Sequence, residues 1–515
     1  MKSIKKAFYT LTSIFIASII LFYGTVSASA YKAEKVIVSY TSSTGISGDF
    51  LISSAVYSDN FIAAVDRVAE AALNFEQEVD ISDLNISYTD FTSTFIDSLR
   101  YSHPELINIS NRLGYSYNPD SGMIITVSPR YLFDESEGEK YFGEFNAVVD
   151  RVALEAGKLG SDFLKALYVH DFIAANAEYS YTVSDPSVLD ESFVYNAYGN
   201  LIDKHSVCQG YTMAYGAILN ELGIENGYAV SDSMNHVWNT VTIDGKTYHV
   251  DVTFDDPLND LLGRVSHESF LCTDAEIISA GHSDWVTDNE ITQESYPGRF
   301  WDDINSKIII IDDELYYPAY DDGDKSYMEK RNIATNQVEK FNSMLNGNQW
   351  TVVENPLRYY PGNYSRLEYL QGRIYYSTPT GVNSILPDGT DDRQEYALSA
   401  AASGRLYGFV YTDEAFYGET AATPNENGEI IALDISLTES MLICGDVNGD
   451  EKVTLLDAIM LMKSRLSLIT LTEEQLILGD VTGDNKIGLE DVMIIQKYAS
   501  AIKVAYDVGK PYPAM

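Results

Sequence analysis

Two stretches near the start of the chain repeat apolar residues every three or four positions. One set is Phe61, Val65, Val68 and Ala72, and the other is Phe91, Phe95 and Leu99. This spacing puts apolar side chains on one face of an α-helix. Thr89 precedes the second set as a candidate N-cap. With the strand-like alternation around them, these helices predict an N-terminal α+β accessory region over residues 31–157.

A third helical pattern begins at a cysteine. Its apolar face is formed by Tyr211, Ala214, Tyr215, Ile218 and Leu222. Gly223 is a typical C-terminal stop, so the pattern places Cys208 at or near the start of the helix. The free N–H groups and the positive end of the helix dipole at that position favour a thiolate.

A β-hairpin is predicted after this helix, because Asp244-Gly245 stands between two alternating runs and is a strong type I′ turn signal. A two-residue turn would pair Ile243 with Lys246, Trp238 with Asp251 and His236 with Thr253. His236 and Asp251 would then be diagonal neighbours on one face, within reach of a hydrogen bond. The opposite, core face would take Val237, Val241, Ile243, Tyr248, Val250, Val252 and Phe254.

Cysteine, histidine and aspartate in this arrangement are typical of nucleophilic catalysis. Cys208 would attack an acyl carbon, His236 would transfer the proton, and Asp251 would hold the imidazole. Each residue alone has a structural explanation, since helical cysteines and strand histidines often only pack. Their joint placement favours catalysis. The oxyanion donor stays open between Tyr198 and the backbone amide of Cys208.

Residues 300–438 show strand–turn–strand patterns with tyrosine-rich edges. Three segments each place an aliphatic run before a turn and an aromatic pair or near-pair: 307–317, 366–376 and 405–417. This recurrence predicts a β-rich domain, either propeller-like or a sandwich. Its tyrosine pairs are interpreted as strand packing, with sugar stacking as the alternative.

Charge and the N-terminus indicate an exported protein. Basic residues precede an apolar run over 8–22, and small residues at 28–30 follow, so residues 1–30 are typical of a signal peptide, with a signal anchor as the alternative. No later segment is apolar enough to span a bilayer. The formal charge is −42, which disfavours nucleic acid and membrane surfaces as partners. The three cysteines, Cys208, Cys272 and Cys444, do not suggest a disulfide framework.

The C-terminus carries an internal repeat: GDVNGDEKVTLLDAIMLMK at 445–463 returns as GDVTGDNKIGLEDVMIIQK at 479–497. Calcium takes oxygen ligands from positions 1, 3, 5, 7, 9 and 12 of a 12-residue loop. The first loop offers Asp446, Asn448, Asp450, the Lys452 carbonyl, Thr454 and Asp457. The second offers Asp480, Thr482, Asp484, the Lys486 carbonyl and Asp491, with a water expected at Gly488.

The two copies in matched register predict two bound calcium ions. A single such loop has a simpler explanation as a solvated acidic turn. Both loops depart from the EF-hand pattern, since they lack its glycine at position 6 and end in aspartate. Because three carboxylates in each loop repel one another without a cation, folding and calcium binding are expected to be one event.

These residues carry two family resemblances. The segment over about 120 residues that contains VCQGY, NHVWN and YHVDVTFDDP resembles the transglutaminase-like superfamily, with phenylalanine at 254 where many relatives have tryptophan. The repeat over about 60 residues resembles the type I dockerin, which implies a cohesin module on a scaffoldin as partner. That resemblance implies contacts through Leu455, Leu456, Lys463, Leu489, Glu490 and Lys497. Near-symmetry of the repeats implies two binding orientations, although Glu490 departs from its counterpart Leu456.

The expected fold is multidomain α+β, with a papain/transglutaminase-like core. Its expected parts are a signal peptide at 1–30, the accessory region at 31–157, a transglutaminase-like domain at 158–295, the β-rich domain at 300–438 and a small α-helical, paired-calcium-loop dockerin at 442–505. The leading hypothesis is a secreted cellulosome component that hydrolyses or transfers peptide or protein amides. The alternatives are a non-catalytic binding or structural module, and a glycosidase suggested only by association with cellulosomes.

Overall fold

A computed structural model gives the fold as two compact units, Tyr31–Ile435 and Ser436–Met515. It describes residues 34–38, 58–180, 193–256, 261–312, 314–399, 404–412, 414–437, 443–448, 452–466, 469, 471, 473–484 and 486–510. The predicted signal peptide at 1–30 and the predicted calcium ligand Asp450 lie outside these ranges. Within them, none of the helices combines the length and the apolar character needed to span a membrane.

The N-terminal part of the larger unit combines two helices, α1 (Asp59–Leu73) and α2 (Tyr88–Ser102), with an antiparallel sheet. The sheet order is β1-β3-β4-β2, formed by β1 (Glu34–Val38), β2 (Val79–Asp80), β3 (Ile109–Tyr117) and β4 (Ile124–Tyr131). A short 3-10 helix spans Ser82–Leu84. Both predicted apolar helix faces are buried in one cluster with residues of β3 and β4.

The predicted cap of α2 is wrong by two positions. Ser87, which has an extended backbone, is the N-cap, and its hydroxyl accepts a hydrogen bond from the Asp90 amide at 3.1 Å. Thr89 already lies inside the helix, where its backbone can no longer serve as a cap.

The region that holds the cysteine is built around one buried helix. Its helices are α3 (Glu135–Ala156), α4 (Asp162–Asn176), α5 (Ala197–Leu201), α6 (Cys208–Leu222), α7 (Val252–Asp255) and α8 (Asp274–Ser279), with a 3-10 turn at Phe193–Tyr195. Every residue of α6 from Gln209 to Leu219 is buried. Because α3, α4 and α6 share one hydrophobic cluster, the helix that begins at the cysteine is rigidly held. The domain boundary at 157/158 stays a prediction.

A four-stranded antiparallel sheet lies beside α6, in the order β10-β7-β8-β9. Its strands are β7 (Asn226–Ser231), β8 (His236–Ile243), β9 (Lys246–Val250) and β10 (Val286–Thr287), while β5 (Glu178–Tyr179) and β6 (His205–Ser206) form a short parallel pair. The predicted hairpin is confirmed: Ile243 pairs with Lys246, and Asp244 and Gly245 have φ values of 52° and 74°.

The predicted register holds only as far as the Asn239–Val250 pair. Beyond it the chain turns into α7, so Thr253 does not lie opposite His236, because Asp251 becomes the N-cap of that helix. Six of the seven predicted core residues are buried, but Phe254 is 40% exposed. The prediction that Phe254 lies on the core face was wrong, because the helical turn rotates this side chain away from the pleat of β9.

A buried polar network fixes the far end of α7. His170 Nε2 lies 3.0 Å from Asp255 Oδ2, and its Nδ1 lies 2.9 Å from Asp171 Oδ1. His267 Nε2 bonds the same Asp171 oxygen at 2.9 Å, while the Ile308 amide donates to Asp171 Oδ2 at 2.7 Å. Since buried polar groups are stable only when paired, this network locks α7 against α4 and the start of the β-rich region.

The β-rich region consists of consecutive antiparallel sheets in chain order. The first contains β11 (Ile309–Ile311), β12 (Glu314–Tyr320), β13 (Ser326–Asn332) and β14 (Val338–Phe341); the second pairs β15 (Trp350–Val352) with β16 (Asn355–Tyr360). Then come β17 (Leu367–Leu370), β18 (Arg373–Thr378), β19 (Gly381–Ile385) and β20 (Arg393–Ala397), followed by β21 (Arg405–Thr412), β22 (Ala415–Ala421) and β23 (Glu429–Leu433). Such up-and-down sheets are the local pattern of propeller blades. The tyrosine pairs at 316–317 and 375–376 are buried, as strand packing predicts, whereas Tyr359 in the pair at 359–360 is 40% exposed.

Among its described residues, the C-terminal unit contains three helices, α9 (Leu455–Arg465), α10 (Glu473–Gly479) and α11 (Leu489–Ala499). Leu461 and Ile495, from the two repeats, are fully buried in one cluster. Mixed helices and sheets in the larger unit and this small helical unit make the chain a multidomain α+β protein.

Candidate active site and calcium loops

Cys208 is the first residue of α6, as the sequence predicts. Its N-cap, Val207, makes no side-chain hydrogen bond to the helix start, so the positive end of the helix faces the thiol without a polar cap. Gly210 allows β6 to approach, because a Cβ there would lie 2.5 Å from the Cβ of Ser206. The thiol is partly exposed, while the thiol of Cys272 is buried and burial raises its pKa to about 12.

His236 links the thiol to the carboxylate. Its Nε2 lies 2.6 Å from Asp251 Oδ2, and the imidazole also lies within electrostatic range of the Cys208 side chain. Because Nε2 faces Asp251, Nδ1 is the nitrogen left for the thiol. Burial alone would lower the pKa of His236, but Asp251 and then Cys208 outweigh it and raise that pKa to about 10. The raised pKa favours the charged imidazolium form of His236 at neutral pH.

Asp251 is held by four hydrogen bonds. Its Oδ1 accepts from the amides of Thr253 at 2.9 Å and Phe254 at 3.2 Å, which caps α7. Its Oδ2 accepts from His236 and, also at 2.6 Å, from His282 Nε2. Burial would raise the pKa of Asp251, but the two histidines hold it well below its ordinary value. The sequence did not place His282 here, since it lies 31 residues along the chain.

Aromatic rings support the imidazole of His236. The Trp238 ring stacks beside it with centroids 5.5 Å apart, and the half-exposed Phe254 ring lies 5.0 Å away. Trp238 is in turn held by His249, because its indole N–H donates to His249 Nδ1 at 3.0 Å. His249 Nε2 faces Asp274 at 3.1 Å, and burial lowers the pKa of His249. His249 thus accepts at one nitrogen and donates at the other, in a supporting position outside the Cys–His–Asp group.

Tyrosines surround the thiol. The phenol of Tyr101 on α2 and that of Tyr195 both lie within electrostatic range of Cys208, and burial, aided by this neighbour, raises the pKa of both phenols. Tyr101 also packs on Tyr228, with centroids 4.6 Å apart. A residue of the predicted accessory region therefore borders the site. The hydroxyl of Tyr198, by contrast, donates to Glu144 Oε2 at 2.5 Å, and the choice of oxyanion donor stays a prediction.

The first calcium loop converges on the carboxylate of Asp457. Asp446 and Asp457 are both buried, and Asp457 Oδ1 accepts from the amides of Val447 at 2.8 Å and Asn448 at 3.0 Å. Thr454 is the N-cap of α9, and Lys452 precedes it in the loop. An all-oxygen donor set around buried carboxylates fits a hard divalent cation such as calcium.

The second loop has the same arrangement. Asp491 Oδ1 accepts from the Thr482 amide at 3.0 Å and its Oδ2 accepts from the Gly488 amide at 2.7 Å. Asp480 Oδ1 accepts from the amide of Asp484 at 3.1 Å. Lys486 follows, with its amide bonded to Asp484 Oδ1 at 2.9 Å. The last aspartate of the second loop is therefore held by backbone amides in the same way as that of the first.

The six predicted docking residues all lie on exposed helix surfaces. Leu455, Leu456 and Leu489 are 50%, 60% and 54% exposed. Lys463, Lys497 and Glu490 are exposed too, and Tyr506 donates to Glu490 at 3.4 Å. Exposed leucines at the start of two helices are an apolar surface suited to a protein partner.

Comparison with known proteins gives partial matches. No curated protein sequence matches the chain. Solved structures with a likeness include a TGase, at 16% identity and a TM-score of 0.20 over 28% of this chain and 44% of that one. A candidate cysteine protease from Cytophaga hutchinsonii matches at 17% identity and a TM-score of 0.18, over 25% of this chain and 51% of that one. The chain thus spans about half the length of these structures or less, and likeness at this level carries no functional argument.

The C-terminal repeat gives a family match of its own. Residues 444–500 match the dockerin type I domain, and this range contains both loops and the exposed leucines described above. Dockerins of this type bind calcium and dock onto cohesins in extracellular cellulosomes. The chain is therefore a multidomain protein with a C-terminal type I dockerin.

Proposed function

We propose that this protein is a secreted, transglutaminase-like cysteine enzyme that breaks or transfers peptide or protein amides while docked on a scaffoldin cohesin. The observation that carries the proposal is the position of His236, which lies within electrostatic range of Cys208 on one side and 2.6 Å from Asp251 on the other. A helix-borne cysteine with a histidine on an adjacent strand and an aspartate just past the next strand is the arrangement that a thioester mechanism needs.

The residues support a two-step reaction. The Cys208 thiolate attacks the amide carbon, and the His236 imidazolium gives its proton to the departing amine, which leaves a thioester and a neutral imidazole. Neutral His236 then takes a proton from the second nucleophile as that nucleophile attacks the thioester, and the thiolate leaves. Water as the nucleophile gives hydrolysis, whereas a lysine amine gives a cross-link. We favour hydrolysis, and Asp251 stays anionic throughout.

Calcium has a separate role in the proposal. The candidate ligands are Asp446, Asn448, Asp450, Lys452, Thr454 and Asp457 in the first loop, and Asp480, Thr482, Asp484, Lys486 and Asp491 in the second. Two calcium ions would offset the repulsion between these carboxylates and so stabilise the loops. The faces with Leu455, Leu456 and Lys463, and with Leu489, Glu490 and Lys497, would then contact the cohesin.

The decisive experiment is site-resolved alkylation of the full chain. Iodoacetamide at about pH 6.5, where an ordinary thiol with a pKa of ~8.5 is nearly unreactive, should label Cys208 much faster than glutathione. Cys272 is the internal control, because its thiol is buried and has a raised pKa. Labelling of Cys208 no faster than glutathione would count against the enzyme and favour a binding module.

Product analysis distinguishes the two outcomes of the thioester. A protein mixture in ¹⁸O-water should gain labelled new C-termini if the enzyme hydrolyses amides, whereas a fluorescent primary amine should become attached to glutamine if it transamidates. A Cys208→Ala variant with intact calcium-dependent cohesin binding is the matched control. Identical products from this variant would refute the cysteine mechanism.

A further inference from the structure

The carboxylate of Asp251 has all of its acceptor positions occupied. A carboxylate offers about four lone-pair sites. Two backbone amides fill those of Oδ1, and two histidine Nε2 atoms fill those of Oδ2. One histidine, His236, belongs to the proposed mechanism, but His282 has no part in it. A second donor on the same oxygen therefore requires an explanation.

His282 is enclosed as a hydrogen-bond donor. Its side chain is fully buried, and its ring packs on Phe254 at 4.2 Å and on Trp238 at 4.8 Å between centroids. Its backbone amide donates to the Ile277 carbonyl at 3.1 Å. Its Nδ1 is buried without a hydrogen-bond partner among the described residues. Because a carboxylate oxygen only accepts, the ring hydrogen must lie on Nε2, and the apolar walls keep it there.

We propose that His282 is a positioning residue for the cysteine reaction. Its Nε2–H holds Asp251 anionic and oriented, so that His236 keeps Nε2 on Asp251 and presents Nδ1 to Cys208. This inference rests on the proposed function and adds a fourth residue to its Cys–His–Asp group. Loss of one hydrogen bond to a charged group should slow thiol chemistry roughly 10- to 100-fold.

The charged and titratable neighbours of His282 are few. Asp251 and His236 share its hydrogen-bonded oxygen, and Cys208 lies beyond His236. His249, on β9, lies within electrostatic range of His282 but bonds Asp274 and Trp238 instead of Asp251. His249 is therefore a matched control: a second buried histidine of the same cluster whose ring nitrogens bond Trp238 and Asp274 and not the Asp251 carboxylate.

The test compares three full-chain variants by the pH dependence of Cys208 alkylation. His282→Phe keeps a flat ring against Phe254 but removes the donor, so alkylation at about pH 6.5 should slow roughly 10- to 100-fold and its pH midpoint should rise. His282→Gln keeps an N–H donor and should recover most of the wild-type rate. His249→Gln should leave the pH profile unchanged.

The outcomes separate this inference from the proposed function. Suppose that wild-type Cys208 reacts fast. If His282→Phe then gives the wild-type pH profile, or if His282→Gln is as slow as His282→Phe, the positioning role is refuted but the proposed enzymatic function is not. A wild-type thiol no faster than glutathione refutes the proposed function itself. If His282→Phe does not fold, nitrogen NMR of the wild type decides: protonation of His282 at Nδ1 instead of Nε2 refutes the role.

The side chains of His236, Asp251 and His282 also lie close enough together to hold a metal ion, since their ligand atoms fall within 4.8 Å of one another. Purified protein with one tightly bound zinc per chain, whose removal by a chelator changes the Cys208 alkylation rate, would overturn the hydrogen-bonding role. An unchanged rate after chelation supports it.

Discussion

Asp251→Asn tests the electrostatic basis of the proposed site most directly. Asparagine keeps the size of the side chain and the oxygen that caps α7 through Thr253 and Phe254. It removes the charge next to His236. Burial alone would lower the pKa of His236, but Asp251, which has a larger effect than Cys208, raises this pKa to about 10. A rise from 6.5 to about 10 corresponds to about 5 kcal/mol in favour of the imidazolium, at ~1.4 kcal/mol per unit.

Without that charge, burial should keep the pKa of His236 at or below ~6.5, so less than about a quarter of the imidazole would be protonated at pH 7. An imidazolium beside a thiol favours the reactive thiolate, so its loss should slow Cys208 alkylation at pH 7 by about 10-fold or more. The NH₂ group of the asparagine would also face the Nε2 atoms of His236 and His282. Because two donors cannot bond each other, this favours the tautomer of His236 that lacks a hydrogen on Nε2.

The assay is the second-order rate of iodoacetamide reaction at Cys208, read by peptide mass spectrometry. Asp274→Asn is the matched control, because Asp274 bonds the neighbouring His249 at 3.1 Å and has no hydrogen bond to His236. It should stay within about twofold of the wild type. An Asp251→Asn variant that folds, by near-UV circular dichroism, and alkylates at the wild-type rate would refute the reasoning.

Three further predictions follow from the buried network, the loops and the docking surface. Burial would lower the pKa of His170, but Asp171 and Asp255 raise it to about 9. The protonated His170 therefore stabilises the fold fully below about pH 6.5, and this contribution is lost as the pH rises to about 9. Urea unfolding of wild type should therefore lose up to about 3 kcal/mol across that window through this group, and His170→Asn should flatten the decline; an equally steep decline in the variant would contradict the assignment. Calcium at about 100 times its Kd should add at least about 2.7 kcal/mol to the unfolding free energy of the C-terminal unit, by thermal circular dichroism, and Asp491→Ala should reduce the gain; no response to calcium or chelator would exclude the loops as sites. Leu456→Glu together with Leu489→Glu should abolish binding to a cohesin panel in surface plasmon resonance, while calcium-dependent folding stays intact; wild-type affinity in this double variant would place the docking surface elsewhere.

Local patterns in the sequence were sufficient for the secondary structure of the site and for the dockerin. The helix that starts at Cys208 and ends before Gly223, and the hairpin turn at Asp244-Gly245, follow from spacings of a few residues. The repeat likewise fixes its own register, because the ligands predicted for each loop come from a single stretch of 12 residues. Neighbours along the chain decide these features, so no knowledge of distant contacts is needed.

Tertiary structure alone decided what surrounds these elements. His282 meets Asp251 across 31 residues, His170 meets Asp255 across 85, and His267 meets Asp171 across 96. Phe254 became exposed because Asp251 caps a helix, and that cap depends on how α7 is anchored at Asp255. A histidine in a sequence carries no sign of its partner, since a hydrogen bond forms only when folding brings a donor and an acceptor together and excludes water from both.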